Sequence, residues 1–122
     1  MEGLTKAAWL ALALVHASPA AAAFSPVMVQ RLYRVPAEGD LGVLLAHRGA
    51  LFLAIVAACV YAAFDPPARR ALSLVIAISV VGFLILYLRA GMPAGPLRTI
   101  ALVDAAALIP LLFVAASAWR AR

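Results

Sequence analysis

Six polar side chains interrupt or border the apolar stretches of this chain: His16, Tyr33, His47, Arg48, Arg89 and Asp104. An ionisable group at the centre of a bilayer costs about 2–3 kcal/mol or more, so such groups mark either a structural pair or a binding site. The chemistry open to this set is recognition. Asp104 can pair with Arg48 or Arg89, His47 can hydrogen-bond beside that pair, and His16 and Tyr33 can line the same site. His16 and His47 on adjacent helices can also ligate a haem. With Asp104 they supply three metal-ligand types, but neither Glu-x-x-His nor His-x-x-x-His spacing accompanies them. The lone Cys59 excludes an internal disulfide and a cysteine-based zinc site. No nucleophile has a base placed to activate it, and His47-Arg48-Gly49 is not a phosphate-binding glycine loop. The expectation is a binding protein rather than an enzyme, with no resident metal and with haem as the alternative cofactor.

Hydropathy defines the elements that must carry these residues. Of the 122 residues, 67% are hydrophobic and 12% are charged, and the mean hydropathy is +1.07. Soluble domains are roughly 45–50% apolar and about 25% charged. One of this length has too little interior to hide so much apolar surface. The composition excludes a soluble globular domain, a disordered chain and a disulfide scaffold, and points to an integral membrane protein. A helix needs about 20 apolar residues to cross a bilayer. Four stretches meet or approach that length: 7–24, 41–64, 71–88 and 97–118.

The breaks between them are proline-rich. Asp65-Pro66-Pro67-Ala68-Arg69-Arg70 and Arg89-Ala90-Gly91-Met92-Pro93-Ala94-Gly95-Pro96 cannot continue a helix. The longer connection, 25–40, begins with apolar residues and arginines between Pro26 and Arg34, the pattern of a short helix lying on the membrane surface. The predicted fold is all-α: one domain over residues 1–122, an antiparallel four-helix bundle in the membrane with a short interfacial helix between the first and second spans. Lys6, an apolar run and Ala21-Ala22-Ala23 also fit a cleavable signal peptide. A retained first span is expected.

The formal net charge of +5 comes from single or paired basic residues between apolar runs, not from a basic face with interleaved aromatics. Flanking charges of a membrane protein are expected, not nucleic-acid binding. Lys6, Arg69, Arg70, Arg120 and Arg122 would lie on one side, with Arg31, Arg34 and Arg98 on the other. The positive-inside rule then places both termini in the cytoplasm. Trp9 and Trp119 are expected at that interface as belt aromatics. With spans alternating in direction, His16, His47 and Asp104 share the opposite leaflet at depths of about 12, 9 and 10 Å, at 1.5 Å per helical residue. Arg48, Arg89, Tyr33 and Tyr87 belong to the same side. The N-terminal leaflet holds little that is polar beyond Ser73 and Ser117.

Helices in lipid associate through small residues. Ala50, Ala54, Ala58 and Ala62 form one stripe on the second span, Ser79 and Gly82 a smaller notch on the third, and Pro110 predicts a kink in the fourth.

His16-Ala17-Ser18-Pro19, Leu32-Tyr33, His47-Arg48-Gly49-Ala50-Leu51-Phe52, Ala62-Ala63-Phe64 with Pro66, Ser79 with Phe83, Arg98 and Asp104 follow one another in an order that resembles a family of small bacterial four-helix membrane proteins. The family pattern runs His-x-x-Pro, Leu-Tyr-Gly, His-Arg-Ala-x-Leu-Phe, Ala-Ala-Phe-x-Pro, then Asp. More distantly the chain is similar to DoxX-like and DUF4345 proteins. Arg34 stands where that pattern has glycine, and Gly49 where it has alanine. The resemblance implies a bacterial inner-membrane protein with a retained first span. DoxX-like relatives imply links to redox or quinone-associated complexes. Members often carry the name phosphopantetheine adenylyltransferase. The residues here do not support that activity: there is no His-x-Gly-His motif and no alternating βαβ pattern.

The function expected is retention of a lipid, quinone or similar amphiphile in a polar pocket of one leaflet, lined by His16, Tyr33, His47, Arg48, Arg89 and Asp104. The alternatives are an accessory subunit that meets a membrane-protein partner or a second copy, and a haem- or quinone-linked redox component.

Overall fold

The computed structural model describes residues 1–120. Arg122, one of the flanking charges, lies outside them. Helix α1 spans Glu2–Ala20, α2 Pro26–Tyr33, α3 Gly39–Phe64, α4 Arg69–Arg89 and α5 Pro96–Arg120. No strand occurs among the described residues. The segments Gly39–Phe64, Pro66–Arg89 and Pro96–Arg120 are each long and apolar enough to cross a membrane. A fourth span results if Glu2–Ala23 is taken with Pro26–Tyr33, from which it is bent by 120°. Each long helix keeps bulky apolar side chains on its outside: Leu14 is 77% exposed, Leu51 55%, Ile78 68% and Ile109 76%. Apolar surface on that scale suits contact with lipid.

The bend after α1 has a local cause. Pro19 lies in the last turn of α1, and the chain tightens into a 3₁₀ turn over Ala21–Ala23. Ser25 then caps α2, its hydroxyl accepting from the Met28 amide at 3.3 Å, with Pro26 in the first turn. Helix α2 ends on Arg34 in the left-handed conformation (φ 55°), with its amide bonded to the Gln30 carbonyl at 2.8 Å.

Helix α1 is central. It packs chiefly on α3 and α5, while α4 packs on α5. The core joins Trp9, Leu12 and Ala13 of α1, Ile55, Cys59, Ala62 and Ala63 of α3, Ile76 and Val80 of α4, and Ala107, Leu111 and Val114 of α5. Trp9 is therefore not an interfacial aromatic: it is fully buried. Its indole fills space left by the small residues Ala62 and Ala63 and by Cys59 in the same cluster. Trp119 is 54% exposed, as a belt residue would be, and its Nε1 donates to Ser73 Oγ at 3.1 Å.

The close approach of α3 uses glycines rather than the alanine stripe. Ala50 and Ala54 are exposed, and only Ala62 of that stripe is buried. The packed face is Gly42, Gly49, Phe52, Ile55, Cys59 and Ala62. A methyl group at Gly49 would lie 2.4 Å from the Ala23 amide nitrogen, so two backbones touch there. Gly82 faces open space, and α5 runs through Pro110 as one helix.

At the end where Arg69 is expected as a flanking charge, it is a buried arginine. Pro66 and Pro67 have no amide hydrogen, so the carbonyls of Ala62 and Ala63 lose their helical partners. Arg69 replaces them. Its Nε donates to Ala62 O at 2.7 Å and its Nη2 to Ala63 O at 2.9 Å. The same guanidinium binds both carboxylate oxygens of Glu2, at 2.8 and 2.7 Å. Thr5 is buried beside this end and donates to Met1 O at 3.0 Å.

Candidate functional site

Every helix contributes a side chain to one cluster at the other end of the long helices: His16 from α1, Tyr33 from α2, Arg48 and Phe52 from α3, Phe83 from α4 and Asp104 from α5. The phase of α3, set by Gly49 and Phe52 against α1 and its 3₁₀ extension, turns Arg48 inward. Its Nε donates to Tyr33 Oη at 3.0 Å. Its guanidinium lies 4.7 Å from the Phe52 ring centre and 5.2 Å from that of Phe83. Tyr33 is buried with Val29, Ala22 and Ile100 in a second apolar cluster, which fixes the hydroxyl.

His16 is 1% exposed. Its Nδ1 lies 2.8 Å from the carbonyl oxygen of Leu12, one turn earlier, and must donate to it. Its ring stacks on Phe52, with centres 5.6 Å apart and planes 26° apart. Phe52 thus lies between the imidazole and the guanidinium as a shared neighbour.

Asp104 is 5% exposed and within electrostatic reach of His16 and Arg48. The expected ion pair with Arg48 or Arg89 is not formed. Among the described residues only Glu2 and Arg69 stand within 4 Å as an ion pair. The competition explains this. A buried ion pair roughly breaks even against its desolvation, whereas a cation over an aromatic face gains about 0.5–2 kcal/mol. Arg48 has two such faces and a phenol.

The cluster is left with unanswered hydrogen-bonding capacity. His16 Nε2 and Arg48 Nη2 are buried without a partner. The Asp104 carboxylate makes no hydrogen bond or ion pair among the described residues. An unmet buried polar group costs about 1–3 kcal/mol.

Comparison with family models, with curated proteins and with solved structures finds no match to this chain.

Two of the six residues singled out from the sequence lie apart from the cluster. His47 is exposed on α3, one position and about 100° of helix rotation from Arg48. Arg89 is exposed in the last turn of α4. With His16 buried and His47 exposed, the two imidazoles do not face each other across the helices. Among the described residues no three His, Cys, Asp or Glu side chains gather to hold a metal ion. Phe52 and Phe83, which wall the cluster, were not among the expected site residues. Phe52 was legible, since a residue four places after Arg48 shares its helix face; Phe83 depends on how α4 docks.

Two clefts open elsewhere. One of about 1010 Å³ lies beside Glu2, Arg69, Arg70 and Trp119. One of about 340 Å³ lies between the bend after α1 and the start of α3. Neither is lined by His16, Arg48 or Asp104.

Proposed function

We propose that this chain is an integral membrane protein that holds the polar end of a lipid, quinone or similar amphiphile at His16, Arg48 and Asp104. One observation carries this reading: three helices bring His16, Arg48 and Asp104 together inside apolar segments, and His16 and Arg48 each keep a buried nitrogen without a partner. Ionisable groups within such segments are functional by default.

The contacts at the opposite end support an antiparallel four-helix arrangement. Glu2 begins α1 and meets Arg69, which begins α4 and caps the end of α3. Arg70 lies over Trp119 near the end of α5, 5.0 Å from its ring centre. Lys6, Arg69, Arg70 and Arg120 gather there, against Arg31, Arg34 and Arg98 at the far end. This bias favours cytoplasmic termini, and the resemblance to small bacterial four-helix proteins favours the inner membrane.

Native mass spectrometry of gently extracted protein tests the binding reading. One discrete amphiphile at fixed stoichiometry is expected. It should be lost from Asp104→Asn and Arg48→Ala protein and kept by Arg120→Ala protein. Equal retention in all three variants, or bulk phospholipid alone, would sink the reading.

A second reading is favoured by the exposure of Ala50 and Ala54. Their small-residue face is open to a helix of a larger membrane complex or of a second copy. Replacing both with leucine should then abolish co-purification of that neighbour without changing amphiphile content. Unchanged co-purification ends this reading.

A further inference from the structure

The amphiphile reading can be taken one step further, to the chemical class of the bound group, and this step rests on it. His16 spends its Nδ1 hydrogen on the Leu12 carbonyl. A neutral imidazole held that way presents a lone pair at Nε2, and this Nε2 is buried with no partner. The Asp104 carboxylate likewise presents acceptors, whereas Arg48 Nη2 presents donors and is also buried without a partner. A group that answers Arg48 together with either acceptor must donate and accept at once. With Asp104 ionised, its charge and that of Arg48 balance. A phosphate or carboxylate head would add an uncompensated negative charge beside Asp104 in a medium of low dielectric, and an ammonium would do the same beside Arg48. A carbonyl accepts from Arg48 and leaves His16 and Asp104 bare. The geometry points to an uncharged hydroxyl group as what the His16–Arg48–Asp104 cluster binds. Its O–H donates to His16 Nε2 or Asp104, and its oxygen accepts from Arg48 Nη2. Such a hydroxyl comes either from a buried water or from a hydroxyl-bearing amphiphile, a glyceride or a quinol rather than a quinone.

The test is ¹⁵N NMR of the full chain in dioleoylphosphatidylcholine bilayers. The protein carries labelled histidine and His47→Gln, an exposed position, so that His16 is the remaining imidazole. A nitrogen lone pair that accepts a hydrogen bond resonates upfield of a bare one. Three probes with the same tail are added in turn: 1-dodecanol, dodecanoate and dodecyl phosphate. A saturable upfield shift of Nε2 with dodecanol alone supports the hydroxyl inference and assigns the hydroxyl to an amphiphile. An Nε2 already hydrogen-bonded, correlated with water protons and indifferent to all three probes, supports it with water as the source and removes the amphiphile reading. A response to dodecanoate or dodecyl phosphate as large as that to dodecanol overturns the hydroxyl inference while leaving the amphiphile reading standing. A bare Nε2 in every arm overturns the hydroxyl inference outright.

Discussion

Arg69 grips Glu2 through two parallel hydrogen bonds of 2.8 and 2.7 Å, although 67 positions separate them. The grip is one side of a larger repair, because the same guanidinium satisfies the two carbonyls that Pro66 and Pro67 leave bare. Arg69→Ala exposes both carbonyls in a buried setting and is expected to cost about 1–3 kcal/mol. Unfolding in mixed detergent micelles measures this. Glu2 is largely exposed, so Glu2→Gln should cost clearly less. Equal losses would mean that the ion pair matters and the carbonyl capping does not.

Gly49→Ala reverses an ordinary trend. Glycine inside a helix is worth about 0.8–1 kcal/mol less than alanine, so the change should stabilise an open position. Here the new methyl group meets the Ala23 backbone at 2.4 Å, and overpacking of this kind costs about 1–3 kcal/mol. Ala54→Leu, on an exposed face, should stay within about 0.5 kcal/mol of the parent. The same micelle titration ranks the two.

Arg34→Gly should stabilise the protein. The left-handed backbone at Arg34 costs a residue with a side chain about 1–2 kcal/mol, partly offset by the greater freedom of glycine when unfolded. A net gain of about 0.5–1 kcal/mol is expected. A loss would indicate that the Arg34 side chain anchors α2 by a contact of its own.

Tyr33→Phe removes the acceptor of Arg48 Nε and leaves a second unmet nitrogen on that guanidinium. A loss of about 0.5–1.5 kcal/mol is expected, together with weaker amphiphile retention in the mass spectrum. His47→Gln and Arg89→Ala, both exposed, should change neither quantity. An effect at His47 as large as that at Tyr33 would shift the site to the outer face of α3.

The helices were legible because length and hydropathy alone decide whether a segment can span, and the proline breaks at 65–70 and 89–96 stand out in any reading. Helix phase was not. Outward-facing and core-facing positions are equally apolar, so nothing in the pattern says that Trp9 and Arg48 turn inward while His47 and Ala54 turn outward. The two glycines packed against backbone, Gly42 and Gly49, give the phase of α3 away, but only once the partner is known. The role of Arg69 was readable in principle, since two consecutive prolines always orphan two carbonyls.

The central place of α1 has a consequence for biogenesis. Its main neighbours are α3 and α5, the second of which follows α2, α3 and α4 in the chain. Until α5 arrives, His16 has no Asp104 beside it and the α5 side of α1 is uncovered. The nascent chain therefore carries an unfinished interior until α5 emerges, and a product halted before Pro96 presents that flank to whatever insertion factor or quality-control protease encounters it.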